Sequence, residues 1–249
     1  MPCDDLTVIH VQRDGQAWLL EIDRPERRNA LDIEHCHRLA DAVDHCIGQG
    51  ARALMVTGAG SSFCAGADFA EVTRPEFRGA LRRAVDALTG AAPPVVAAVN
   101  GPAIGAGLQL AVACDLRITA EAGRFALPTA QLGLAVDAWT VRRLALLIGA
   151  GTAAGLLLAG DELDAPASVA VGLSNRMGGR DEAWALTTRV AGLAPLTLSF
   201  YKQVLGTLAG TPVPEADLDA ALERCWASAD LVEGQRARDE RRAPRFEGR

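Results

Sequence analysis

The chain has 249 residues, 49% of them hydrophobic and 22% charged, with a formal net charge of −6. Such a chain is long enough to bury a sizeable core as one large domain, and its composition excludes wholesale disorder. The acidic balance and the 4% aromatic content argue against nucleic acid as a partner, because that role needs basic groups and stacking platforms.

Two strand-like runs open the sequence, Leu6–Gln12 and Ala17–Ile22, joined by the turn signal Asp14-Gly15. Asp32 reads as a helix cap before apolar residues at helical spacing, Ile33 through Ile47, with Gly48 and Gly50 ending that helix. Ala53–Val56 is a buried-strand run leading into the Gly-rich loop TGAGSSFCAGAD. Residues 76–89 form an amphipathic pattern that Pro93-Pro94 breaks. Val95–Val99 is another buried strand and runs into a second Gly-rich loop, NGPAIGAG, and a small-residue helix through Gln109. Strands at 116–119 and 124–127 and helices near 138–148 and 151–159 follow. From Glu182 the chain reads as helices only, interrupted at Pro195, Pro212 and Pro214. The alternation predicts an α/β core over residues 1–190 and a helical portion over 191–249.

No apolar run approaches the roughly 18–20 residues that span a bilayer, so no membrane span is expected. The acidic start MPCDDLTVIH does not read as a signal peptide, so the expected location is cytoplasmic. The six scattered cysteines, with no CxxC, read as thiols rather than disulfides. Neither Gly-rich loop completes a dinucleotide fingerprint, since Phe63 and Leu110 stand at the third glycine positions, and no GK[ST] or G-x-S-x-G occurs. His35 and His37 point about 200° apart on their helix, so no metal is expected there. The face reads as solvated, with His37, Asp41 and His45 as charged pairs. His10 has no evident partner. Together the two loops could each aim a backbone N–H at one oxygen, from Cys64–Asp68 and from Gly105–Gly107. Two such donors would stabilise an enolate formed from a thioester.

The segments RPERRNALD (24–32), SSFCAGADF (61–69), NGPAIGAGLQLAVACDLRI (100–118) and the closing ERRAPRFEGR resemble the enoyl-CoA hydratase/isomerase, or crotonase, superfamily over essentially the whole chain. The resemblance implies a crotonase-type spiral of ββα turns with a helical, oligomerising C-terminus, a homotrimer or homohexamer, and coenzyme A thioesters of fatty acids as ligands without a permanently bound cofactor. It places the oxyanion hole at the amides of Ala67 and Ala106. It places CoA contacts on the loops containing Arg24, Arg27 and Arg28 and Ala65, Ala67, Asp68, Phe69 and Ala70, with Arg241 as a further phosphate partner.

Two departures stand out. Hydratases of this superfamily use two glutamates, and this sequence has Gln109 and Thr129 at those positions. Neither side chain is a useful base near neutrality, and each general acid or base contributes about 10²–10⁴-fold, so ordinary hydration is expected to be very slow. Asp137 stands where a dehalogenase branch carries a nucleophilic aspartate, and it is the remaining candidate base. It also reads as the N-cap of the helix that follows. Three readings therefore stand side by side: an enzyme acting on acyl-CoA through an enolate, a non-catalytic acyl-CoA-binding protein, and a structural subunit with no CoA affinity.

Overall fold

The computed structural model describes residues 8–249. The start of the expected first strand, the N-terminal segment read for targeting, and Cys3 therefore lie outside the described residues. Strand β1 (Ile9–Asp14) turns at Gly15 and pairs antiparallel with β2 (Ala17–Ile22). Helix α1 (Ile33–Gly48) is capped by Asp32, whose carboxylate accepts the His35 N–H. Next come β3 (Ala53–Gly58), α2 (Pro75–Gly90) and β4 (Val95–Val99). Beyond β4 each turn has a short second strand: β5 (Pro102–Ile104), α3 (Ala106–Ala113), β6 (Leu116–Thr119) and β7 (Arg124–Ala126). Helix α4 (Ala138–Ala154), β8 (Glu162–Asp164), α5 (Ala165–Ala170) and β9 (Arg176–Met177) complete the spiral. Helices α6 (Arg180–Ala191), α7 (Pro195–Leu208), α8 (Glu215–Trp226) and α9 (Ala229–Asp239) close the chain.

The main sheet runs β1-β2-β3-β4-β6-β9, parallel after the first pair, and a smaller sheet runs β5-β7-β8. Isolated bridges Leu31–Ala67 and Cys64–Ala103 extend the second layer back to the first turns. The chain thus climbs a spiral of long strand, short strand and helix. Strands β3 and β4 are buried along their whole length, as a parallel sheet covered on both faces requires. Leu54, Val56, Val95 and Ala97 face the larger core, while Leu19, Met55, Val96 and Ala98 face α6 through Ala183, Leu186 and Val190.

Several expectations change. Strand β5 was hidden inside the second Gly-rich loop, because three residues paired to a segment 22 positions on leave no local period. The two helices expected near 138–148 and 151–159 are both present, within α4 and the π-helical turn Gly155–Ala159 that continues it, parted by a non-helical Gly149 (φ 74°). That 22-residue stretch has a mean hydropathy of 1.5 and is long and apolar enough to cross a membrane, contrary to the expected absence of such a run. Here it carries Arg142 and Arg143 and packs Trp139, Leu144 and Ile148 into the core. The short elements β8, α5 and β9 were also not foreseen. His10 does have a partner, Asp23. On the α1 surface Arg83 of α2 takes both Asp41 and His37, replacing the expected pairs within the helix.

Candidate functional site

A cavity of about 720 Å³ opens between α2, the start of α3 and the segment from Pro128 to Asp137. Its wall is mostly apolar, with Phe77, Leu81, Ile104 and Val136 among the lining residues, and Phe69 stands at it 73% exposed. Ala67 and Ala106 both line it. Neither of their N–H groups donates to another described residue. For Ala106 this follows from its place as the first residue of α3, where the N–H has no helical partner.

Local geometry brings Ala67 and Ala106 to one cavity. Around Ala67, Leu31 N–H donates to Gly66 O at 2.8 Å and Asp68 N–H to Leu31 O at 2.7 Å. The amide between them points the other way, as alternation along a strand demands. Cys64 N–H donates to Pro102 O and Ile104 N–H to Cys64 O, both at 3.0 Å, tying the first loop to β5. Gly105 turns the chain from β5 into α3 at φ 55°, ψ −115°, a region open to glycine. A side chain at Gly107 would come within 2.0 Å of Cys64 O, so the close approach of the two loops depends on its missing Cβ.

Two polar residues of the cavity, Gln109 and Asp137, are linked through the buried Thr140. Gln109 is 7% exposed, and its Oε1 lies 3.3 Å from the Thr140 hydroxyl. That hydroxyl also lies 3.0 Å from Asp137 Oδ2, while Asp137 Oδ1 accepts the Thr140 N–H at 3.0 Å and sits 3.8 Å from Arg82 Nη1. Asp137 is therefore the N-cap of α4 and a cavity-lining group at once, with both oxygens engaged. Thr129 lines the same cavity, on the turn where Leu132 and Leu134 N–H groups donate to its carbonyl. Gln109, Thr129 and Asp137 thus all line the one cavity. Thr140 was missed, although the spacing of three residues from a capping Asp was a usable signal.

Arg24 ties the loop of residues 24–32 to the first Gly-rich loop. Its Nη1 lies 3.2 Å from Asp32 Oδ2 and 2.9 Å from Asp68 Oδ2, and it donates to Ala30 O at 3.1 Å. Burial alone would raise the Asp32 carboxyl, but the His35 N–H and imidazole and the Arg24 guanidinium outweigh it and hold it below the usual carboxylate range. The Ala70 N–H does the same for Asp68, opposed by desolvation and reinforced by Arg24. Folded pKa values below the unfolded ones give stability that is fully present above about pH 4 and lost as pH falls through the folded values. Urea unfolding should therefore show an Asp32→Asn deficit at neutral pH that shrinks below about pH 4. A deficit independent of pH would show that the carboxylate charge does not join the loops.

Cys64 borders the site in sequence but is fully buried, and burial pushes its thiol up to about 12. It is no acyl acceptor.

A family model described as enoyl-CoA hydratase/isomerase matches residues 14–249. The chain belongs to the enoyl-CoA hydratase/isomerase family. A Mycobacterium tuberculosis protein bearing the name "Probable enoyl-CoA hydratase echA6" is 40% identical over 233 residues, covering 92% of this chain and 95% of the relative. The crotonyl-CoA hydratase of Syntrophomonas wolfei is 33% identical over 253 residues, covering 96% and 97%. Among solved structures, an enoyl-CoA hydratase/carnithine racemase from Magnetospirillum magneticum superposes with a TM-score of 0.88 at 31% identity, covering 97% of this chain and 96% of that one.

In this enoyl-CoA hydratase/isomerase family member the expected CoA contacts divide. Ala65, Ala67 and Phe69 line the cavity, whereas Arg24, Arg27, Arg28, Asp68, Ala70 and Arg241 do not. Arg24 and Asp68 are committed to each other. Arg27 and Arg28 are exposed beside them, and Arg28 adopts φ 51°. Arg241 is exposed at φ 53° just past α9. No group of three or more His, Cys, Asp or Glu with metal-site geometry occurs among the described residues.

Proposed function

We propose that this protein holds a fatty acyl- or enoyl-CoA thioester with its carbonyl oxygen between the amides of Ala67 and Ala106, and that it does so with little or no hydration. The observation that carries this reading is that Ala67 and Ala106, whose amides are unpaired, line a cavity together with Gln109 and Thr129, which the resemblance sets at the positions of the hydratase glutamates. The donors favour negative charge developing on the thioester oxygen. No carboxylate stands ready to take or give the proton of water, because the one lining carboxylate, Asp137, has both oxygens engaged. The loops containing Arg27, Arg28 and Ala65 would cradle the CoA moiety, with Arg241 as a further phosphate donor.

A second reading, slow enolate chemistry with Asp137 as the base, is favoured by the position of Asp137 on the cavity. Residues 191–249 would build a homotrimer or homohexamer, which the exposed Tyr201, Leu205, Leu208 and Trp226 support. The loss of conjugated enoyl absorbance with medium- and long-chain 2-enoyl-CoA, followed from catalytic to stoichiometric protein, tests both readings. The expected result is retained thioester without turnover, from a sample whose mass by light scattering exceeds one chain. Many turnovers would overturn the binding reading in favour of Asp137 chemistry. Absence of thioester affinity would overturn both.

A further inference from the structure

Helix α2 presents a mixed face to the acyl cavity. Phe77, Leu81 and Val85 give it an apolar stripe, and Arg78 and Arg82, one turn apart, border the same space. Residues four apart on a helix are surface neighbours, so two guanidinium groups at this spacing can converge on one small anion. Arg82 is already turned toward the cavity polar groups, with Nη1 3.8 Å from Asp137 Oδ1 while its Nε pairs with Asp86 at 2.8 Å. Arg78 makes no hydrogen bond or ion pair with any described residue. The same lining is otherwise largely apolar, with Ile104, Leu134 and Val136 among it. An unsubstituted alkyl chain filling such a cavity gives these exposed cations no partner, whereas a chain bearing a carboxylate matches both the apolar wall and the guanidinium pair.

We infer that the preferred ligand is an acyl-CoA whose acyl chain ends in a carboxylate, held by Arg78 with Arg82 as the second donor. This rests on the thioester-holding function proposed above and names its substrate class. The same oxyanion chemistry could be supplied by the phosphates of coenzyme A itself, and the test separates the two sources.

The intact chain is titrated with matched pairs, hexanoyl- against adipyl-CoA and octanoyl- against suberyl-CoA, and with free CoA. The native chain and the variants Arg78→Met and Arg78→Met/Arg82→Met are compared. For at least one pair the carboxylate-bearing thioester should bind about tenfold more tightly to the native chain, as expected for a charge-assisted pair at a partly solvated site. The double variant should lose that preference and keep its affinity for the plain thioester within about twofold, and added salt should narrow the preference in the native chain. Equal affinity within both pairs overturns the inference. A uniform loss for plain thioester, carboxylate thioester and free CoA in the variants also overturns it, by assigning Arg78 to a CoA phosphate. If no thioester binds the native chain, the function proposed above fails, which plain hexanoyl- and octanoyl-CoA report on their own.

Discussion

Replacing Gln109 and Thr129 together by glutamate is expected to raise hydration of a 2-enoyl-CoA by about 10²–10⁴-fold over the native chain, with each single replacement giving less. Both positions line the cavity that holds the Ala67 and Ala106 amides. Gln109→Glu is nearly isosteric, and its new carboxylate would lie where Oε1 now sits, 3.3 Å from the Thr140 hydroxyl. Asp137 on the far side of that hydroxyl would raise the pKa of the new carboxyl through like-charge repulsion, toward the range useful for proton transfer. Thr129 is half-buried and lines the same cavity. The two changes act as a unit because hydration needs one group to activate water and another to supply the proton. Initial rates of enoyl absorbance loss measure the gain. No gain with thioester affinity intact would show that the acyl carbons do not lie between these two positions.

The largest stability effect is expected at Arg117. It is 1% exposed, and burial pushes its guanidinium down to about 10, still protonated at neutral pH. Its Nε donates to Leu173 O at 2.5 Å, and its Nη1 donates to Cys114 O at 2.7 Å and Ala111 O at 3.1 Å. No ion pair to a carboxylate is found for it among the described residues. Instead it neutralises carbonyls at the C-terminal end of α3, where the helix dipole favours a cation. Arg117→Met keeps much of the volume and removes every donor. Each carbonyl left buried costs about 1–3 kcal/mol, so the loss should reach about 4 kcal/mol or more, against a total stability of about 5–15 kcal/mol. For a chain of this size that lowers the melting temperature by more than about 8 °C. Thioester affinity should fall with it, since α3 carries the Ala106 amide at its other end. A change below about 1 kcal/mol in urea unfolding would mean that the carbonyls find other donors.

Local signals accounted for the elements whose causes are local. Asp32 caps α1 because its carboxylate and the His35 N–H are three residues apart, a distance any sequence displays. The buried runs at β3 and β4 were legible because a strand covered on both faces needs apolar residues throughout. The two Gly-rich loops were legible as places of close backbone approach, and Ala67 and Ala106 both line one cavity. By contrast, β5 and the Leu31–Ala67 and Cys64–Ala103 bridges pair residues far apart in sequence, and no period marks them. Asn29 was invisible for the same reason. It is fully buried at φ 59°, donates to Ala59 O and Ser62 O and accepts from Arg24 N–H, a hub whose partners only the fold collects.

Sequence by itself determined the class of the fold, the two amide-bearing loops and the absence of carboxylates at positions 109 and 129, because each depends on residue type or short-range spacing. Tertiary structure alone decided that Arg24 is spent between Asp32 and Asp68, that Thr140 links Gln109 to Asp137, and that Arg78 and Arg82 border the cavity. Those are decisions about which charges meet. A charge is steered by whatever packing brings within a few ångströms of it, and packing is not written in the neighbours along the chain.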